Sequence, residues 1–279
     1  MGYQKRLAKA FVHAPVLPLY SNSRLALISD CHRGKGDSND NFLKNQHLYF
    51  AALSYYFDHG YTYIELGDGD ELWENRRISD IREIHSNVFW LFQLFHQQKR
   101  MYMLYGNHDM VKKNNSLALE FPCYEGLILK NCCNSHYFYL THGHQADTLN
   151  SVFWKLSRFL VRYLWKPLEQ FGVLDPTSAA KNYSIQNSTE KRLEQWGCEQ
   201  QVTVIAGHTH RSVLDPAHPN YINTGSCVHP RCITCIEIAN NSLFLVKWSM
   251  ETRTDASLYV ARSILSGPLQ LQEFDNTES

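Results

Sequence analysis

Arg24-Leu25-Ala26-Leu27-Ile28-Ser29-Asp30-Cys31-His32 is a short apolar run that closes on an Asp-x-His pair. A run of this length bounded by polar residues reads as a buried strand. The pattern recurs. Leu66-Gly67-Asp68 running on to Glu71, Gly106-Asn107-His108-Asp109, Thr141-His142-Gly143-His144 and Gly207-His208-Thr209-His210 each follow an apolar, β-branched or aromatic run. Groups able to hold a metal or a phosphate therefore stand where strands end. Loops beyond strand ends are where open α/β sheets place ligands, so five fragments spread over most of the chain can converge on one cleft.

Working outward, strands are expected at 24–29, 61–66, 101–105, 137–140 and 202–206, with helical patterns over 41–58 and 81–98. This alternation indicates an α/β core. After the fifth fragment, short runs at 221–223, 232–238 and 242–248 read as adjacent, mainly antiparallel strands. The chain divides into an N-terminal extension (1–23), a first part of the core (24–148), an inserted helical cap (149–200), a second part of the core (201–266) and a polar, loose tail (267–279).

In the cap, Val152, Phe153, Leu156, Phe159, Leu160, Tyr163 and Leu164 recur at three- and four-residue steps and share one helical face. Lys155, Arg158, Arg162 and Lys166 form a basic stripe, and Trp154, Val161 and Trp165 a second apolar stripe on the far side. That second stripe either packs against the following helix, 179–196, or belongs to a lid. In the lid reading Trp154, Arg158, Arg162 and Trp165 receive a substrate with an apolar tail and an anionic head.

Asp30 and His32, two apart on an extended segment, point to one side and can clamp one ion; His208 and His210 repeat the geometry. Asp68 follows a glycine, so its carboxylate can stand free and bridge two ions, while Asn107 offers an oxygen and His142 a nitrogen. The mixed nitrogen and oxygen set suits two divalent transition metals about 3.5 to 4 Å apart. Manganese is the leading candidate, with zinc or iron as alternatives.

The order Asp-x-His, Gly-Asp, Gly-Asn-His-Asp, His-Gly-His, Gly-His-Thr-His resembles the calcineurin-like metallophosphoesterase superfamily from Arg24 to about Trp248. The resemblance implies a two-sheet αββα sandwich flanked by helices, with Asp30, His32, Asp68 and His210 on one metal and Asp68, Asn107, His142 and His208 on the other. Leu66-Gly67-Asp68-Gly69-Asp70-Glu71-Leu72-Trp73, Gly207 to Arg211 and the helical excursion look like the UDP-2,3-diacylglucosamine hydrolase branch. That branch cleaves a pyrophosphate in a lipid A precursor beneath a helical cap. His108, His144 and Arg33 depart from its usual Arg, Asp and apolar residue.

The chemistry expected is hydrolysis of a phosphodiester or pyrophosphate by a hydroxide that the two metals activate. His108 is expected to serve the leaving oxygen, oriented by Glu71 or Asp109. Arg33, Lys35 and Arg211 flank the metal motifs and are either phosphate contacts or solvated charges. The substrate is a phosphorylated small molecule or a lipid-linked nucleotide. The alternatives are a general nucleotide phosphodiesterase or phosphomonoesterase, and a non-catalytic binding module.

The balance of 27 basic and 27 acidic residues in 279 offers no net field for nucleic acid. Cys-x-x-Cys at 232–235 lies in an expected strand, where residues three apart face opposite sides, and is set aside as half a zinc site. Eight scattered cysteines, one inside a metal motif, point to a reducing cytoplasmic setting. No apolar run reaches the ~20 residues that cross a bilayer, so membrane contact is expected only peripherally, at the inner face.

Overall fold

The computed structural model describes residues 2–37, 40–114, 121–147, 158–161 and 182–274. Strands β1 (Val16–Leu19), β2 (Leu25–Ile28), β3 (Thr62–Leu66), β4 (Met101–Leu104), β5 (Cys123–Tyr124), β6 (Gly126–Asn131), β7 (Tyr137–Thr141), β8 (Thr203–Ala206), β9 (Tyr221–Asn223), β10 (Cys232–Ala239), β11 (Ser242–Thr252) and β12 (Leu258–Gln270) form two sheets. One is five-stranded, ordered β1-β6-β7-β8-β9. The other is seven-stranded, ordered β12-β11-β10-β2-β3-β4-β5. Helices α1 (Tyr3–Ala10), α2 (Gln46–Asp58), α3 (Ile78–Ile84), α4 (Ser86–Gln97) and α5 (Tyr183–Gln200) accompany them.

Side-chain alternation along the strands builds the layers. Leu25 and Leu27 of β2, with Ile64 and Leu66 of β3, meet Leu127 and Leu129 of β6 and Phe138 and Leu140 of β7 between the sheets. Their neighbours Ala26, Ile28 and Tyr63 face outward onto Leu48, Ala52 and Tyr56 of α2 and Phe92 and Phe95 of α4. On the far side Ile128, Val204 and Ala206 pack on Leu7 and Ala10 of α1 and Leu193 and Trp196 of α5. The result is the αββα sandwich. Strands covered on both faces read as unbroken apolar runs, which is why the central ones were legible.

Several elements depart from expectation. The first segment, expected as an extension, packs on the core: α1 covers the five-stranded sheet, and β1 pairs in parallel with β6. Pro18 is tolerated because β1 is an edge strand. The helix expected over 81–98 is two helices broken at His85, whose ring Nε2 lies 3.1 Å from the Gly34 carbonyl. Tyr221–Asn223 joins the five-stranded sheet beside β8, in parallel, while β10, β11 and β12 run antiparallel in the other.

The described part of the tail, residues 267–274, is structured rather than loose. β12 continues to Gln270, and a 3-10 helix, Leu271–Phe274, buries Leu271 and Phe274. In the inserted segment only 158–161 and the region of α5 are described. There Val161, of the second apolar stripe, is buried, while Phe159, expected on the face that packs on the core, is 58 % exposed. Trp154, Arg162 and Trp165 lie outside the described residues. Among those described, no helix is long and apolar enough to cross a membrane.

Candidate metal centre

All five fragments occupy the C-terminal ends of strands β2, β3, β4, β7 and β8. The loops are laced to one another through their backbones. Asp30 N–H donates to the Gly67 carbonyl (3.1 Å), His32 N–H to Asp68 (2.9 Å) and Gly207 N–H to His142 (3.0 Å). Asp30, His32, Asp68, His208 and His210 all sit in the left-handed region, with φ between 50° and 69°. Each such residue costs of order 1–3 kcal/mol, a cost met elsewhere in the fold to aim these side chains inward.

The two aspartates share one design: one oxygen is tied down and the other is presented. Asp30 Oδ2 accepts from the His208 amide (2.9 Å) and the Ser29 hydroxyl. Its Oδ1 is buried and makes no hydrogen bond, with His210 Nε2 3.2 Å and His142 Nε2 4.0 Å away. Asp68 Oδ1 accepts from the His108 amide (2.8 Å), while Oδ2 lies 3.1 Å from His142 Nε2 and 3.8 Å from His32 Nε2. A Cβ at Gly106 would stand 2.1 Å from Asp68 Oδ1, so only glycine permits this approach.

The imidazoles are aimed by their other nitrogens. His142 Nδ1 donates to the Leu66 carbonyl (2.9 Å), which turns Nε2 toward Asp68 and Asp30. His32 Nδ1 is 2.9 Å from Glu71 Oε2, and its Nε2 lies 3.3 Å from His210 Nε2. Asp30, His32 and His210 thus form one cluster of potential ligand atoms, and Asp68, His142 and His208 a second. Asn107 Oδ1 and His142 Nε2, like Asp30 Oδ1, are buried without a hydrogen-bond partner. Orphaned buried groups of this kind are rare in a folded protein unless something further completes them. The donor set fits a pair of divalent transition-metal ions.

His32, Glu71 and His108 form a third cluster of similar composition. Its carboxylate is already engaged, since His108 Nδ1 lies 2.9 Å from Glu71 Oε1 while Oε2 faces His32. We therefore read it as a hydrogen-bonded bridge between two imidazoles. Trp73 stacks on His108, with ring centroids 4.1 Å apart.

Burial alone would depress the His108 and His142 imidazoles. Glu71 and Asp68 outweigh it at His108, raising it to about 10, and Asp68 with Asp30 raise His142 to about 9. Burial pushes Asp68 up, but the surrounding imidazoles hold it well below the carboxylate range. His144 is kept neutral by burial and by the neighbouring His142 and His208.

Asp109, expected as a possible partner of His108, accepts instead from the Gly106 amide (2.6 Å), the Gly69 amide (3.2 Å) and Lys112 Nζ (2.6 Å). It shapes the loop. Arg33, expected at a phosphate, is completely buried and paired with Glu65 and Asp70. Lys35 is half-exposed and 3.3 Å from Asp37, and Arg211 is bound to Glu190 of α5. Arg158 is half-buried on the short described turn of the insertion.

Glu190 was not anticipated; it also accepts from the Thr209 hydroxyl (2.8 Å), tying α5 to the fifth fragment. The turn at 223–226 supports the site through side chains: Asn223 Nδ2 donates to the Gly207 carbonyl (2.8 Å), and the Thr224 hydroxyl lies 2.7 Å from that of Ser29.

A two-sheet α/β sandwich with acidic and imidazole side chains gathered at its strand ends defines the class, that of the metallophosphoesterase fold. The calcineurin-like phosphoesterase family model matches residues 23–212, and the chain belongs to that family. Among solved structures it is similar to a conserved uncharacterized protein, a predicted phosphoesterase, from Streptococcus pneumoniae TIGR4. That likeness has 15 % identity and a TM-score of 0.37, covering 87 % of this chain and 97 % of the other. It is also similar to Vps29 of Chaetomium thermophilum, with 11 % identity, a TM-score of 0.41 and coverage of 88 % and 96 %. No curated protein sequence matches it.

Proposed function

We infer that the protein is a metal-dependent hydrolase of a phosphodiester or pyrophosphate bond in a small phosphorylated molecule. The observation carrying this reading is the set of buried, hydrogen-bond-less atoms Asp30 Oδ1, Asn107 Oδ1 and His142 Nε2 beside a histidine held by a carboxylate. Asp30, His32, Asp68 and His210 would hold one ion, and Asp68, Asn107, His142 and His208 the other, with manganese the leading candidate and zinc or iron as alternatives. Such ions supply water activation and charge compensation for phosphoryl oxygens.

The chain's own contribution centres on His108. Its Nδ1 is engaged by Glu71 and its face is pinned by Trp73, so in the protonated form Nε2–H is the proton free to be given to a leaving oxygen. The side chain is 20 % exposed, enough to recover a proton from solvent. Beside His32 and Glu71 lies a small depression of about 10 Å³, room for one water, whose lining includes Asp37, Asp40 and Glu74.

The substrate we favour is a UDP-diacylglucosamine-like lipid-linked nucleotide, on the strength of the Leu66–Trp73 motif, which provides both Glu71 and Trp73. Peripheral membrane contact and a reducing, cytoplasmic setting belong to the same reading, the latter supported by eight free cysteines.

The test is hydrolysis of UDP-diacylglucosamine beside bis-p-nitrophenyl phosphate, using metal-stripped protein with manganese, zinc or magnesium restored. Preference for the acylated nucleotide supports the lipid-linked substrate. Cleavage of the simple diester alone leaves a general phosphodiesterase, and no metal-dependent turnover of either refutes the enzyme reading.

A further inference from the structure

Two of the ligand histidines have a visible device for setting their tautomer, the Leu66 carbonyl for His142 and Glu71 for His32. A comparable device stands at His208. Its Nε2 lies 3.4 Å from Asp147 Oδ2, with both side chains 4 % exposed. Asp147 lies five residues beyond His142, at the end of the 3-10 helix His144–Ala146, and carries no part of the five motifs.

That turn is fastened from several directions. Gln145 Oε1 accepts from the Thr141 hydroxyl (3.1 Å) and the Gly143 amide (3.2 Å). The Asp147 amide donates to the His144 carbonyl (2.9 Å). Arg6 of α1 donates through Nε to the Gln145 carbonyl (2.8 Å), and Arg192 of α5 through Nη1 to the Ala146 carbonyl (2.9 Å). Two helices far apart in the sequence, α1 and α5, thus grip the two carbonyls immediately before Asp147.

We propose that Asp147 is a positioning residue for the metal centre, taking the Nε2–H of His208 so that Nδ1 carries the lone pair, with Arg6 and Arg192 setting its place. The proposal rests on the reading that His208 holds an ion. A neutral imidazole has one protonated and one bare nitrogen, and an anionic acceptor at Nε2 both selects the tautomer and strengthens the bare nitrogen as a donor. The first segment of the chain, by this route, belongs to the metal site although it supplies no ligand.

The test is manganese titration of metal-stripped wild-type, Asp147→Asn, Asp147→Glu and Arg6→Met proteins, followed by calorimetry and by electron paramagnetic resonance. Wild type should take up two ions and give an exchange-coupled spectrum. Asp147→Asn presents an amide that favours the wrong tautomer, and one of its two ions should bind about 10- to 100-fold more weakly. Its spectrum at intermediate manganese should be that of an isolated ion.

Asp147→Glu, which keeps the carboxylate, should recover most of the affinity, which a merely space-filling role would not require. Arg6→Met should weaken the same ion by a smaller factor. Two tightly bound ions in Asp147→Asn would overturn the proposal while leaving the metal reading intact; fewer than two in wild type would overturn that reading itself. If Asp147→Asn fails to fold by circular dichroism, Arg6→Met decides, and unchanged binding there refutes the proposal.

Discussion

Arg33 and Glu65 form a two-pronged ion pair in the interior, with Nη1 2.7 Å from Oε2 and Nη2 3.0 Å from Oε1. Asp70 takes Arg33 Nε at 2.8 Å, and the guanidinium lies over the Phe92 ring at 5.2 Å. Burial alone would weaken the guanidinium's hold on its proton, but Asp70 and Glu65 reverse that. The network joins the loop after β2 to the loop after β3, on which Asp30, His32 and Asp68 depend. Arg33→Met leaves the buried Glu65 without its cation and Asp70 with Lys112 alone, and should cost roughly 3–5 kcal/mol in denaturant unfolding. Arg33→Lys should recover only part, since an ammonium cannot reproduce the fork. A variant of normal stability with a raised KM would instead restore Arg33 to the substrate.

His108→Ala should lower kcat by about 10²- to 10⁴-fold while both ions remain, as measured by elemental analysis beside steady-state kinetics. Glu71→Gln should share the kcat loss and also weaken metal binding, because Glu71 faces His32 as well as His108. Loss of metal in His108→Ala would refute its assignment as a proton donor.

Metal removal should destabilise the fold. Ions that bind only the native protein add about 2.7 kcal/mol at a hundredfold excess over Kd, so Tm should rise with added manganese and fall with a chelator. Indifference of Tm to both would argue that the orphaned atoms serve no ion.

Asp40 should make stability depend on pH. Burial pushes its carboxyl up, but hydrogen bonds from His85 and from the Gly36 and Gly34 amides hold it below the usual range. A depressed folded-state pKa contributes stability that is present above the unfolded value of about 3.9 and lost as pH falls through the folded one. Asp40→Asn should therefore be less stable at pH 7 by roughly 1–3 kcal/mol. The gap should narrow between about pH 5 and pH 3, and a gap constant with pH would contradict this account.

The α/β core and the five strand-end fragments were legible in the chain because both are local: a buried strand writes an apolar run, and the ligand follows within a few residues; the two-sheet arrangement came only from the family resemblance. Edge elements were harder. β1 contains Pro18, and β12 has a largely half-exposed burial pattern, so neither carries the signal of a covered strand. His85 broke an apparently continuous helix through a bond to Gly34, far away in sequence.

By itself, then, the sequence determined the class of fold, the residues available to hold metal and the family, because strand periodicity and short motifs depend on near neighbours. Tertiary structure decided which charges face substrate and which brace the frame. Arg33, Asp109 and Arg211 look alike in the chain as charges beside metal motifs, yet each is claimed by a partner brought by the fold: Glu65 and Asp70, Lys112, and Glu190. A buried charge needs a partner at close range, and that partner is specified by packing rather than by proximity along the chain.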